Sequence, residues 1–362
     1  MENTFSTNVL ILGKTGVGKS SLLNYLFGDE IAHVGSGKPV TGEGIFTYKP
    51  FDYNGINITI NDSWGIEADK AGKWKAIIES KVEENNSKEI KDWFHTIIYC
   101  VDAKRSRLEE YEINEILNPL VNDGNYIIIC FTKSDLASEK EKEENKKVIQ
   151  EYCKNIDFVE ISSVATKLRG GRTTTKFGRE KMLKKVVENL KKNLIYKLSH
   201  NLYRDTIKAL EDEYTNALSY YEEKSGPLGF FTIYGEDFQN SLREKAKDLY
   251  FGHQSELIIK FNKDLVRINE LTNEISNKFL YDIDKSDLIT HFELTPFNDW
   301  NNDASDYARS ILASIFRVTK RRYTEYREKY IQFLNQINGK ILDDIKAYLN
   351  KLLENENIQF KF

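Results

Sequence analysis

The spacing of hydrophobic and polar positions changes character midway along the chain. In the first half, short apolar runs alternate with stretches of helical period. Asn8 to Leu12, Thr96 to Val101, Tyr126 to Phe131 and Phe158 to Ile161 read as strands, and the unbroken runs at 96–101 and 126–131 read as buried ones. Ile45 to Tyr53 and Ile56 to Ile60 alternate instead, around Asn54-Gly55, a tight hairpin signal. Helices are predicted over Ser21 to Gly28, Gly72 to Lys91, from beyond Arg107 to near Val121, and over Met182 to Tyr196. Strands alternating with helices predict an α/β domain with a mostly parallel sheet flanked by helices.

Beyond Tyr196, glycine and proline become rare and one period dominates. Leu198, Leu202, Leu210, Tyr214 and Leu218 trace one apolar stripe. A second runs through Phe238, Leu242, Ala246, Leu249, Leu257, Phe261, Leu265, Ile268, Leu271 and Ile275. A third runs from Ala308, Ile311, Leu312 and Ile315 through Tyr323, Tyr326, Tyr330, Phe333, Ile337, Ile341, Ile345 and Leu349, with Gly339 a candidate kink. These stripes predict an all-α bundle of three to five long helices, punctuated by Pro227 and Pro296. The expected division is residues 1–196 and 197–362. Residues 226–235, Gly-Pro-Leu-Gly-Phe-Phe-Thr-Ile-Tyr-Gly, are apolar without helical period. They read either as a buried connector, the favoured alternative, or as a membrane-touching tip.

Composition narrows the classes. A chain of 362 residues that is 40% hydrophobic and 30% charged is globular, with room for two cores. A net charge of −4 gives no reason to expect general nucleic-acid binding. Cys100, Cys130 and Cys153 form no disulfide framework and suggest a reducing compartment. The N-terminus lacks the build of a signal peptide, and no apolar run approaches the roughly 20 residues that span a bilayer. A cytoplasmic protein, at most peripheral to a membrane, is the expectation.

The chemistry concentrates at Gly13-Lys14-Thr15-Gly16-Val17-Gly18-Lys19-Ser20, between a strand and a helix. Strand, G-x-x-x-x-G-K-S, helix is the phosphate-binding P-loop in its required context. Its glycines let backbone N–H groups turn inward around a phosphate, and the following helix adds its N-terminal partial charge. Residues 13 to 21, ending at Ser21, are therefore the expected phosphate cradle. Lys19 is expected to reach the β- and γ-phosphates, and Ser20 to ligate Mg²⁺.

Four further elements follow in order. Ile31 to Gly44 is glycine-rich and polar, a candidate loop ordered by ligand, in which Thr41 is the candidate for Mg²⁺ and the γ-phosphate and Thr47 the fallback. Asp62-Ser63-Trp64-Gly65 ends a strand: Asp62 is placed to hold a Mg²⁺-bound water and Gly65 to offer its N–H to the γ-phosphate. Ile66 stands where many GTPases carry a water-positioning glutamine, and cannot orient a water. Thr132-Lys133-Ser134-Asp135 ends a buried strand. Asp135 can accept hydrogen bonds from guanine N1–H and the exocyclic amine, donors that adenine lacks. An unpaired buried carboxylate costs about 1–3 kcal/mol or more, so this element selects the base. Lys133 is expected to lie along the base and brace the P-loop. Ser162-Ser163 follows the last strand, and the Ser163 N–H is the candidate partner of guanine O6. The basic stretch Lys167 to Arg179 reads as an exposed loop nearby.

Residues 7 to 196 resemble the Ras-like GTP-binding domain of the translation-factor-related superclass, most of all its Era-like, septin-like and immunity-related GTPases, on G-K-T-G-V-G-K-S-S-L-L-N, P-V-T and D-S-W-G. The resemblance implies a guanine-nucleotide-binding domain that takes GTP and GDP with Mg²⁺ and hydrolyses GTP to GDP and phosphate. Two departures bear on mechanism. Gly16 replaces the Ser or Asn with which dynamins and potassium-activated GTPases bind a catalytic cation, and Trp64 replaces a usual proline. With Ile66, they make the chain similar to members that hydrolyse GTP after pairing two G domains, a partner group supplying positive charge. Arg107, with Arg105 beside it, is the candidate for that group. The implied partners are a second copy of the chain through its G domain and an unidentified protein through the helices. The alternatives are a GTP-loaded scaffold with negligible turnover and a dynamin-like membrane-associated GTPase.

Overall fold

The computed structural model describes residues 6–28, 44–67, 70–104, 108–153, 156–225, 236–279, 320–356 and 358. The loop with Thr41, both Arg105 and Arg107, residues 226–235 and the stripe from Ala308 to Ile315 lie outside them. The chain divides into two compact units, Met1–Lys197 with Ile268–Ser286, and Leu198–Arg267 with Asp287–Phe362.

The first unit contains strands β1 (Ser6–Gly13), β2 (Ile45–Thr47), β3 (Phe51–Tyr53), β4 (Ile56–Ser63), β5 (Thr96–Asp102), β6 (Ile127–Thr132) and β7 (Ile156–Glu160). They form one sheet in the order β2-β4-β1-β5-β6-β7, with β3 also on β4. The run β4-β1-β5-β6-β7 is parallel. Every residue of β5 and β6 is buried, as their unbroken apolar runs require.

The hairpin differs from its expected form. Its first arm is two strands, because the register on β4 slips by one residue between Thr47↔Asn61 and Phe51↔Ile58. Pro50 sits inside the slip and has no N–H to give the ladder. Asn54 and Gly55 close the turn with φ of 52° and 89°.

The helices are α1 (Lys19–Phe27), α2 (Ala71–Asn86), α3 (Glu110–Asn122, with a π-turn over Ile113–Leu117), α4 (Glu139–Tyr152) and α5 (Arg179–Glu188). In α2, Trp74, Ile78 and Val82 form the buried stripe. Ser138 and Glu141 form a reciprocal capping box that starts α4. The closing helix expected over Met182 to Tyr196 is broken at Asn189. Its second part runs on as α6 (Leu190–Ser225), so the change in composition near Tyr196 falls inside a continuous helix.

The second unit contains most of α6, much of α7 (Glu236–Phe279) and all of α8 (Lys320–Asn355). The buried stripe of α6 runs Leu198, Leu202, Ala209, Leu210, Glu213, Ala217 and Tyr221, so an acid and two alanines complete the line that the leucines suggested. Phe261 of α7 meets Tyr348 of α8 edge-on, and Tyr221 of α6 stacks on Tyr330 of α8 with centroids 5.4 Å apart. Helix α8 runs unbroken through Gly339.

Candidate functional site

The site lies at the carboxyl ends of β1, β4, β5 and β6, where the parallel strands release their loops. Gly13 ends β1 with φ 139°, and a Cβ there would lie 2.6 Å from the Cys100 carbonyl oxygen, so only glycine lets the chain turn that close to β5. The turn delivers Gly18 to the N-cap of α1. Lys19 is buried and donates through Nζ to the carbonyls of Gly13 (2.9 Å) and Lys14 (3.0 Å). Burial lowers its pKa, and the nearby Asp62 opposes the fall.

Asp62, on β4, is fully buried, and neither carboxylate oxygen has a hydrogen-bond partner among the described residues. Burial pushes its pKa up to about 6, against the pull of Lys19. The Thr15 hydroxyl oxygen is buried in the same unpartnered way. Gly65 packs directly on Thr15: a Cβ would stand 2.3 Å from its Oγ1 and 2.5 Å from its Cα. Ile66 is tied to the cradle by two backbone bonds, its N–H to the Gly13 carbonyl and its carbonyl to the Thr15 N–H, each 3.2 Å. Its side chain is buried with Trp64 and Trp74, and the Trp74 indole N–H donates to the Trp64 carbonyl at 2.9 Å. Trp64 therefore packs inside the domain. Thr47, the fallback threonine, is exposed and donates to Asn61 Oδ1 at 2.7 Å.

The Thr132–Asp135 element joins the cradle from the other side. Thr132 donates from its hydroxyl to the Val17 carbonyl and lies within 3.1 Å of the Val101 carbonyl. Lys133, one of two non-glycine residues with positive φ among the described residues, sends Nζ to the Gly16 carbonyl (3.0 Å) and to Asp102 Oδ2 (2.6 Å). The brace expected of Lys133 is present. Its carboxylate anchor, Asp102, was missed by sequence reading; an acid closing the apolar run of β5 was the available signal. Asp135 keeps Oδ2 buried without a described partner. Ser134 donates to the Phe131 carbonyl (2.7 Å), and its N–H reaches the Ile161 carbonyl (3.1 Å), fixing the loop against β7. Ser162 is buried and Ser163 half-buried at that end of the sheet, while Ser20 and Ser21 are half-buried at the start of α1.

Lys14 has a different setting from the other cradle residues. Its ammonium binds Glu109 Oε1 (2.6 Å) and Glu112 Oε2 (2.8 Å) and lies over the Tyr111 ring. Glu112 is buried and accepts from the Tyr99 hydroxyl at 2.7 Å. The Lys14 side chain is thus a strut to α3, and only its backbone faces the cradle.

These groups fit a nucleoside phosphate with a divalent cation. The loop is closed to any side chain at Gly13, a buried lysine stands at its floor, and four buried oxygens, two on Asp62 and one each on Thr15 and Asp135, have no described partner. The N-terminal domain has the fold of a P-loop GTPase domain: a mostly parallel sheet flanked by helices, followed by a long helical region.

The family model described as 50S ribosome-binding GTPase matches residues 8–133. GTPase Der of Rickettsia typhi is 30% identical over 135 residues, which are 37% of this chain and 29% of that protein. GTPase Der of Photorhabdus laumondii is 25% identical over 163 residues, 45% of this chain and 32% of that one. The chain thus spans about a third of the length of these curated relatives. Among solved structures, Toc33 from Arabidopsis thaliana in complex with Mg²⁺ and GMPPNP aligns at 18% identity and a TM-score of 0.39, covering 52% of this chain and 85% of that one.

Proposed function

We propose that this protein binds GTP and GDP with Mg²⁺ and hydrolyses GTP to GDP and phosphate. The observation that carries the reading is the Lys133 bridge. One ammonium holds both the Gly16 carbonyl of the phosphate loop and Asp102, beside an Asp135 carboxylate whose buried oxygen has no described partner. The bridge ties the loop that carries Asp135 to the turn that carries Gly16, which supports one ligand with a base at one end and phosphates at the other. Lys19 reaches the β- and γ-phosphates, Ser20, Thr41 and Asp62 hold the metal and its waters, and Gly65 contacts the γ-phosphate. Asp135 reads guanine, and the Ser163 N–H meets O6. Mg²⁺ supplies charge neutralisation between the β- and γ-phosphates. Calorimetry tests the reading: GTP and GDP bind, ATP and ADP do not. Equal retention of ATP, or no binding of either, would remove it.

The finer reading is a switch. G domains pair in the GTP state, Arg107 of one copy serves the site of the other, and residues 197–362 move or expose a surface for a protein partner in the cytoplasm. A second reading, a GTP-loaded scaffold with negligible turnover, is favoured by Ile66, which is buried and bonded into the cradle where a water-positioning side chain would stand. Turnover per subunit measured across a concentration series separates the two. A steep rise supports pairing, and a flat trace near zero supports the scaffold.

A further inference from the structure

The stretch between the last strand and α5 stands apart from the rest of this acidic chain. Ile161 to Arg179 holds five cations, Lys167, Arg169, Arg172, Lys176 and Arg179, and no acid, in a protein of net charge −4. It is a built hairpin. Ser162 and Phe177 exchange two backbone bonds of 3.1 Å, Thr174 N–H reaches the Thr166 carbonyl at 2.9 Å, and Leu168 N–H reaches the Arg172 carbonyl at 2.8 Å. Gly170 and Gly171 turn the tip with positive φ. Two of the cations are used at the root: Arg179 caps the Tyr25 and Leu26 carbonyls that end α1, and Lys176 lies over the Tyr25 ring. Lys167, Arg169 and Arg172 make no ion pair among the described residues.

The same hairpin exposes apolar surface. Val164 is 53% exposed, Leu168 38% and Phe177 39%, three of the eight large hydrophobics that stand exposed among the described residues. Every residue from Lys167 to Thr173 is exposed, so the tip projects into solvent with nothing packed over it. We propose that this hairpin docks on a membrane surface, its three free cations taking anionic phospholipid headgroups while Leu168 enters the interface.

A tip exposed at every residue from Lys167 to Thr173 does not enclose a peptide, whereas a bilayer interface yields around it. Single-stranded nucleic acid is held by stacking on aromatic faces, and residues 163–176 contain no aromatic. A cation near an anionic leaflet is worth about a fivefold gain in partitioning. Three such cations amount to about a hundredfold, and burying the exposed part of Leu168 adds roughly tenfold. The result is reversible docking, weaker than one acyl chain provides. The proposal stands independently of the nucleotide reading.

The test is flotation of the full chain with phosphatidylcholine vesicles, with and without phosphatidylserine, at low and high salt. The expected result is binding to the anionic vesicles only, weakened by salt. Arg169→Glu with Arg172→Glu should lower it at least 25-fold and Leu168→Asp about tenfold, with thermal unfolding and nucleotide binding unchanged in both variants. Retention of both signals shows that a variant is folded, and the milder Arg169→Gln with Arg172→Gln replaces any that is not. The proposal is overturned if wild type stays with the protein fraction, if the charge-reversed variant floats equally, or if inorganic phosphate or a soluble polyanion such as RNA binds the hairpin while vesicles do not.

Discussion

Glu213 lies on the buried stripe of α6, one turn from Leu210 and Ala217, and is 2% exposed. Neither of its carboxylate oxygens has a hydrogen-bond partner among the described residues, and His253 Nδ1 stays 3.6 Å from Oε1. Gln254 and Tyr250, both fully buried, pack nearby on α7, and the Tyr250 hydroxyl is itself without a described partner. Burial pushes the Glu213 pKa from 4.5 up to about 7, the Gln254 amide opposing the rise and Asp212 adding to it. The folded state therefore keeps this proton at a pH where the unfolded chain has released it. Native stability from this group is full below about pH 4.5 and is lost as pH rises to about 7. At about 1.4 kcal/mol per pH unit, the ceiling of that loss is about 3 kcal/mol. Glu213→Gln keeps the shape and cannot ionise, so it should stabilise the helical unit by about 1 kcal/mol near pH 5 and about 3 kcal/mol near pH 8. Urea unfolding followed by far-ultraviolet circular dichroism on both proteins at the two pH values measures this. Subtracting one protein from the other removes the titrating groups that do not face Glu213, leaving Glu213 and the His253 ring beside it. A stability difference that is the same at both pH values would refute the reasoning.

Three further outcomes follow from the candidate site. Asp135→Asn leaves one acceptor and adds a donor facing the guanine N–H groups, so GTP affinity should fall about 10- to 100-fold while xanthosine triphosphate gains; competition binding reads the exchange, and an unchanged preference counts against the assignment. Gly65→Ala drives a Cβ into the Thr15 backbone, where no side-chain rotation gives relief, so it should cost roughly 1–3 kcal/mol and weaken nucleotide binding. Normal melting and normal nucleotide titration together would contradict that contact. Asp102→Asn takes the carboxylate from Lys133, and nucleotide release, followed with a fluorescent GDP analogue, should speed up about tenfold, with Asp102→Ala at least as fast. Release at the wild-type rate in both would show that Lys133 needs no anchor.

What the sequence made legible was what chain-local chemistry dictates. The glycines of the P-loop, the apolar runs of β5 and β6 and the Asn54-Gly55 turn each carry their own reason within a few residues, and the parallel sheet follows from them. The register slip at Pro50 was open to the same reasoning, because proline lacks the donor that a continuous strand would need. The break at Asn189 was not, because residues on both sides of it keep helical period and only packing decides where the axis turns. Within the site, Lys19 and Lys133 announced themselves by motif. The setting of Lys14 did not: an ammonium in a phosphate loop reads as a phosphate ligand until Glu109 and Glu112, 95 and 98 residues later, are seen to hold it.

That difference between Lys14 and Lys133 defines how the domain is built around its cradle. Both lysines are fixed by a carboxylate from outside the P-loop, Lys14 by the start of α3 and Lys133 by the end of β5. Both touch the loop through backbone: Lys133 through the Gly16 carbonyl, Lys14 through its own carbonyl, which accepts from Lys19. The Ile66 strand end adds a third attachment through Gly13 and Thr15. Three separate loops thus grip consecutive stretches of one short turn, and none does so through the groups that face the cradle. Displacing any one of the three would shift the backbone N–H groups of the turn, so a phosphate bound there would be felt at α3, at the end of β4 and at the Thr132–Asp135 loop alike. Charge-assisted bonds at two of these attachments hold the turn firmly, because an ammonium released from a buried carboxylate leaves a charge that the domain must solvate again.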